Sequence, residues 1–323
     1  MLKIFLSNRS STVIIIPIVL LVFWFGSFFK ILPVNDNPTF FYALFYDVLS
    51  DYPVYNRIFG FLVAIFLIFM ISRIFNANDF YGKENTVPSV VLLIMFGAWS
   101  GFHFFSPIYI SMAFLLIAIN NILRIYHQKS ILRELFDASF FIGLAALFHY
   151  PIALFVLSIY GFLFISRPFS FRESVLPLIG LSLPFYFLGV VFFYFDIQPD
   201  FLNYSESGTI KSLFFEGGLT QRFYLVITII LISVSLFFLF RMLERSKVQV
   251  QLSRKFLFIF FFNGVLVYWV CLVYYPMVET ALILTIPMAL IIPFFFYESK
   301  PLIRNLGFYF WLMAALLFDY ILI

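Results

Sequence analysis

The feature that most constrains this chain is the recurrence of apolar runs along almost its whole length. Of its 323 residues, 63% are hydrophobic and 11% are charged, whereas a soluble domain carries about 25% charged residues. A transmembrane helix needs about 20 mostly apolar residues, because only a helix satisfies its own backbone hydrogen bonds in lipid. The apolar stretches that we interpret as spans, called windows below, are approximately residues 12–32, 58–75, 88–104, 107–123, 138–150, 151–165, 176–195, 223–240, 256–275, 281–297 and 306–323. The sequence therefore predicts an all-α, polytopic transmembrane helical bundle with about 11 spans.

The lysines and arginines predict how these spans are oriented. With the N-terminus placed in the cytoplasm, 16 of the 20 basic residues fall in cytoplasmic segments, and the other four are Lys30, Arg57, Lys211 and Arg222. Because short cytoplasmic loops are enriched in lysine and arginine, this distribution puts the N-terminus inside and the C-terminus outside. It also accounts for the net charge of +4 without a nucleic-acid partner, so the expected partners are membrane lipids.

Loop lengths divide the predicted bundle into two parts. The outer loops at residues 33–57 and 196–222 are long, and the other outer turns are tight. We therefore expect a seven-helix module over residues 1–222 and a four-helix module over residues 223–323. The chain has no Walker P-loop, dinucleotide-binding, HExxH or CxxC motif, and its one cysteine excludes an internal disulfide.

The candidate catalytic residue is Asp36, which lies in the first long outer loop a few residues after the first predicted span. A carboxylate there can act as general base for an acceptor hydroxyl, either directly or through a divalent cation. The alternative is that Asp36 caps an interfacial helix or lies in a solvated amphipathic loop. The sequence leaves the metal requirement open.

Five candidate substrate-binding residues lie near the predicted outer ends of spans: Arg57, Arg222, His103, His149 and Glu279. Each arginine follows a long outer loop, where a guanidinium can hold a phosphate with two hydrogen bonds or extend to anionic headgroups. The histidines can line a polar pocket or bind the helix ends. Glu279 can line the same pocket or stabilise a helix N-terminus.

In its loop layout the chain resembles the integral-membrane glycosyltransferases of the C superfamily, which take sugars from polyprenyl-phosphate donors. That family carries its catalytic acid in the first outer loop of a seven-helix module and covers the site with the fourth outer loop. Here Asp36, Pro38 and Tyr42 are similar to the family's acid with a following proline and tyrosine. The resemblance implies transfer from a polyprenyl-linked sugar, with Asp36 as the acid. The first loop is short for the family, and Asn37 replaces its second acid.

The chain, with its 51 phenylalanines, also resembles Phe-rich polytopic membrane proteins of Bacteroidota over most of its length. That resemblance implies the inner membrane of a bacterium but no activity. The alternative to an enzyme is a non-enzymatic membrane component, such as a lipid or glycan translocator or a scaffold subunit of an envelope assembly. A translocator predicts charged residues along a pathway at mid-membrane depth, and a scaffold predicts helix faces of small residues.

Overall fold

The computed structural model describes residues 10–29, 52–81, 84–125, 131–166, 170–196, 219–243, 248–274 and 278–321. Within these ranges the protein is all-helical and has no β-strand, which confirms the all-α part of the predicted fold class. The α-helices are α1 (Ser10–Phe25), α2 (Pro53–Ala77), α3 (Val87–Ala98), α4 (Pro107–Arg124), α5 (Leu132–Phe148), α6 (Val156–Ser166), α7 (Phe171–Tyr194), α8 (Leu219–Leu243), α9 (Val248–Tyr274), α10 (Leu282–Ile291), α11 (Pro293–Glu298) and α12 (Pro301–Ile321). Short 3-10 segments are Gly26–Phe29, Ser100–Phe102, Tyr150–Phe155 and Val278–Ala281.

Among the residues that the structure describes, five helices are long and apolar enough to cross a membrane. They are α2, α4 and α7 together with the segments Arg222–Leu243 of α8 and Val250–Val273 of α9. These segments have 18 to 25 residues, and at 1.5 Å per residue they are about as long as the hydrocarbon core is thick, about 30 Å. The other apolar helices are shorter, although each predicted window overlaps a helix. The count of about 11 spans and the orientation of the termini stay predictions.

Prolines open several of the helices. Pro53 begins α2, Pro107 begins α4, and Pro88 is the second residue of α3. The first N–H groups of a helix have no partner inside the helix, so a residue without an N–H costs nothing there, and its fixed φ suits the first turn. In the sequence, these prolines thus indicate where the three helices begin.

Helix α3 lies at the centre of the core. All 12 of its residues are buried, and it packs against α1, α2, α10 and α12. Such burial is expected of a helix that is apolar all round. At about 18 Å, α3 is shorter than the hydrocarbon core, and the chain continues from it through Trp99 into the 3-10 turn Ser100–Phe102.

Helices α4, α5 and α7 pack side by side, with α5 in contact with both of the others. A glycine brings α7 close to α5, since a Cβ on Gly180 would lie 2.0 Å from Ser139 Oγ and 2.9 Å from the carbonyl oxygen of Phe136. Small residues at helix contacts are common in membrane bundles. Gly143 of α5 does the same from the other side, since a Cβ there would lie 2.6 Å from the carbonyl oxygen of Leu181 in α7.

Helix α2 joins two ends of the bundle, each of which carries polar contacts. At its start, Asn56 Oδ1 accepts a hydrogen bond from the N–H of Phe105. Just beyond its last residue, the carbonyl oxygen of Phe80 accepts from Arg254. With 25 residues, α2 separates these contacts by about 37 Å. We call the end of the bundle with Asn56 and Phe105 the His103 end, after the residue two positions before Phe105. We call the end with Phe80 and Arg254 the Arg254 end.

Candidate functional site

His103 is bound at both ring nitrogens and is 1% exposed. Its Nε2 atom lies 3.1 Å from the carbonyl oxygen of Phe96, and its Nδ1 atom lies 2.5 Å from Ser27 Oγ. Because a carbonyl oxygen only accepts, Nε2 carries the proton, and in the neutral ring Nδ1 accepts from the Ser27 hydroxyl. The ring also stacks on Trp24, with centroids 5.0 Å apart. His103 therefore ties the end of α1 to the end of α3.

Arg57 is bound to the same turn and is 4% exposed. Its Nη1 atom donates to the carbonyl oxygen of Phe28 at 2.8 Å. The preceding residue, Asn56, accepts from the N–H of Phe105 through Oδ1 at 2.8 Å. One turn further along α2, a Cβ on Gly60 would lie 2.7 Å from the nitrogen of Phe105. The start of α2 is thus fixed both to the turn after α1 and to the segment after α3.

The other predicted site residues are placed elsewhere or are not described. Asp36 lies outside the described residues. His149 Nε2 lies 3.5 Å from Cys271 Sγ in α9, and Arg222 is exposed in the first turn of α8. Glu279 belongs to the 3-10 segment before α10, but its side chain lies outside the described part. Of the predicted residues whose side chains are described, the structure therefore brings together the two at the His103 end.

A cavity of about 210 Å³ lies between α3, α8, α9 and α10. Two of its lining residues, Trp99 and Phe102, belong to the segment that also carries His103. Most of the remaining wall is formed by aliphatic and methionine side chains, such as Met95, Ile232 and Met288. An apolar cavity of about 150 Å³ already holds a benzene molecule and excludes water. This cavity therefore has the size and chemistry to hold a small apolar ligand or part of a larger one.

Four of the residues that line the cavity carry a hydroxyl group: Tyr224, Thr228, Tyr268 and Thr285. Thr228 Oγ1 donates to the carbonyl oxygen of Tyr224 at 2.9 Å and accepts from the indole nitrogen of Trp311 at 3.2 Å. Thr285 donates to a main-chain carbonyl of α10 at 2.6 Å. Both threonines use their hydroxyl hydrogens within the helices, and almost none of the surface that faces the cavity is polar.

A second polar cluster, at the Arg254 end, was missed by the sequence interpretation. Arg254 is 6% exposed, and its Nε and Nη2 atoms donate to the carbonyl oxygen of Phe80 at 3.1 and 2.8 Å. Its Nη1 atom donates to the carbonyl oxygen of Met242 at 2.9 Å. In the sequence, Arg254 was interpreted only as one of the basic residues that indicate the orientation of the spans, whereas the structure places it inside α9. The one signal in the sequence for its burial was its position two residues before the apolar window at residues 256–275.

Aromatic residues complete the cluster at the Arg254 end. Tyr81 stacks on Tyr297 with ring centroids 3.9 Å apart, and the Tyr297 hydroxyl donates to Asn85 Oδ1. Burial, and then the negative charge of Glu298, raise the pKa of Tyr81 above its ordinary value. Tyr81 is therefore a neutral phenol at pH 7, and the cluster holds the connection between α2 and α3 against α9 and α11.

No family model matches the chain, and neither a curated protein nor a solved structure matches it. The likeness to the C-superfamily glycosyltransferases therefore rests on loop layout and on Asp36, Pro38 and Tyr42. What the fold defines is the class: an all-helical protein, in the ranges the structure describes, with five helices that can cross a membrane. Among those same ranges, no three His, Cys, Asp or Glu side chains come together as a metal site.

Proposed function

We propose that the protein is a membrane glycosyltransferase-like enzyme that acts on a polyprenyl-linked sugar at the outer face of the bacterial inner membrane. One observation carries the proposal. Arg57 and His103, both predicted for one site, bind the adjacent residues Phe28 and Ser27. That turn leads directly into the loop with Asp36. The two side chains thus fix the point from which the candidate catalytic loop departs.

In the proposed reaction Asp36 removes the proton from an acceptor hydroxyl, whose oxygen forms a bond to the anomeric carbon of the donor sugar. The bond from that carbon to the phosphate oxygen breaks, and the polyprenyl phosphate leaves with the electron pair. A guanidinium beside the leaving phosphate stabilises the developing charge. Arg222, which is exposed, suits this role better than Arg57, which is 4% exposed.

The remaining assignments belong to the same proposal. His149 lies between α5 and the 3-10 segment before α6, and Glu279 lies in the 3-10 segment before α10. We assign both residues to the lining of the sugar site. A divalent cation bound by Asp36 would assist deprotonation of the acceptor. The competing function, a translocator or scaffold without chemistry, requires no general base.

The test is Asp36→Asn, assayed in membranes of the native host with isotope-labelled polyprenyl-phosphate sugars. Loss of the general base should lower turnover by about 100-fold or more, with the protein present at its normal level in the membrane. Asp47→Asn and Asp51→Asn, which alter other acids of the same loop, serve as matched controls and should retain turnover. Wild-type turnover in Asp36→Asn would refute Asp36 as the general base, and turnover that persists in membranes without the protein would favour the non-enzymatic component.

A further inference from the structure

The cavity between α3, α8, α9 and α10 extends from the surface of the bundle into its core. Ile229 of α8, which lines the cavity, is 56% exposed, whereas Met95, Phe102 and Ile232 on its other walls are 6%, 3% and 6% exposed. Ile229 belongs to a segment that is apolar enough to cross a membrane. The exposed part of the wall therefore faces lipid, and a ligand can enter sideways from the bilayer.

The size and lining of the cavity define the part of a lipid that fits. At about 210 Å³ it exceeds the volume of about 150 Å³ that encloses benzene. One hydrocarbon chain can therefore insert a segment of several carbons. The two chains of a phospholipid would need about twice that space to enter to the same depth. The cavity thus favours a lipid with a single chain.

The charge near the opening defines the headgroup. Arg222 is exposed and precedes Leu225 and Ile229, two lining residues of the same helix, by about one and two turns. Residues at this spacing lie on one face of a helix. Ile229 lies seven positions after Arg222, a rise of about 10 Å along the helix. The apolar wall of the cavity therefore begins within about 10 Å of a phosphate held by the guanidinium.

From these observations we infer that the cavity binds the chain of a single-chain isoprenoid phosphate. The phosphate lies at Arg222, and the first carbons of the chain lie against Leu225 and Ile229. The lipid enters between α8 and α9, where Tyr268 of α9 forms the facing wall. The choice of an isoprenoid rests on the proposed function, but binding itself requires neither Asp36 nor an acceptor.

The experiment uses the full chain in nanodiscs and a geranylgeranyl phosphate with a diazirine on its chain as the photoaffinity probe. After irradiation, mass spectrometry of peptides should locate adducts on the cavity walls, in peptides that contain Met95, Ile229 or Met288. Unlabelled geranylgeranyl phosphate should compete, whereas phosphatidylglycerol at the same concentration should not. This experiment needs only the wild-type protein. Adducts confined to other segments, or equal competition by phosphatidylglycerol, would overturn the proposal.

Two adjacent isoleucines supply a matched pair of variants. Ile229 and Ile230 are both 56% exposed, but only Ile229 lines the cavity. Ile229→Trp should fill the opening and reduce labelling by about tenfold or more, whereas Ile230→Trp should leave labelling unchanged. Equal labelling of the two variants would contradict a lateral opening at this position.

Arg222→Ala tests the headgroup. It should weaken labelling by the phosphate probe by about tenfold and leave labelling by the matching geranylgeraniol probe unchanged. An equal effect on both probes would refute the phosphate contact. Asp36→Asn separates the two proposals, since it should abolish transfer and keep labelling. If the wild-type protein is labelled but has no transfer activity, only the proposed enzymatic function is refuted. If the wild-type protein has transfer activity but its cavity is not labelled, only the proposed lipid site is refuted.

Discussion

Gly60→Ala should open the close contact between α2 and the segment that follows α3. An added Cβ would lie 2.7 Å from the nitrogen of Phe105 and 2.9 Å from the carbonyl carbon of Phe104. Both are main-chain atoms, which cannot rotate away as a side chain would. Helix α2 therefore has to move outward, and this movement stretches the 2.8 Å hydrogen bond from the N–H of Phe105 to Asn56.

The expected magnitude follows from these two contacts. An extra methyl group in a packed interior costs about 1–3 kcal/mol, and the loss of one buried hydrogen bond adds about 1 kcal/mol. We therefore expect Gly60→Ala to lower the free energy of unfolding by about 2–4 kcal/mol. The matched control is Gly189→Ala in α7, where the added Cβ meets nothing within 4 Å. There, alanine in place of a helical glycine should raise stability by about 0.5–1 kcal/mol.

The assay is equilibrium unfolding of the detergent-solubilised protein by titration with sodium dodecyl sulfate, followed by tryptophan fluorescence. Trp24, which stacks on His103, reports on the end of the bundle that the substitution disturbs. The two variants should unfold on opposite sides of the wild-type midpoint. A Gly60→Ala protein as stable as Gly189→Ala would show that α2 does not approach the main chain of Phe104 and Phe105, and the arrangement described for the His103 end would be wrong.

The same titration checks two further predictions. Arg254→Ala should lower the free energy of unfolding by about 2–4 kcal/mol, because two buried carbonyl oxygens lose a charged donor, whereas Lys255→Ala, at an exposed neighbour, should change it by less than about 0.5 kcal/mol. Equal effects would contradict the burial of Arg254. Gly180→Ala should cost about 1–3 kcal/mol, because the added Cβ would meet Ser139 Oγ at 2.0 Å. A stability gain like that of Gly189→Ala would show that α5 and α7 are further apart.

The sequence predicted the helical class reliably because long apolar runs have few alternatives to a helix in lipid. The window at residues 88–104 shows where such prediction stops. Its α-helix ends at Ala98, and the chain then forms a 3-10 turn, although Trp99, Phe102 and Phe104 continue the apolar window. His103, beyond that turn, finds its partner Ser27 at a separation of 76 residues. A local hydropathy pattern contains no information about a contact so distant in the chain.

The candidate site was predictable only in part, for a related reason. Arg57 was identified because it departs from the charge distribution, but its carbonyl partner in the turn after α1 has no sequence signal. Arg254 agreed with that distribution, so its burial inside the bundle could not be predicted. Ile229 and Ile230 are the same residue type and equally exposed, yet only one lines the cavity. Distinguishing them requires the rotation of α8 about its axis, which tertiary packing determines.

The burial of α3 on all sides has a consequence for how the protein is made. Two of the helices that surround it, α10 and α12, leave the ribosome long after α3 has done so. Until they arrive, α3 lacks part of its packing, and at about 18 Å it is too short to stay across a bilayer unaided. During most of translation the faces of α3 that α10 and α12 later cover therefore have no cover from the chain itself. A chain interrupted after α9 would leave α3 incompletely covered and open to proteases that remove unfinished membrane proteins.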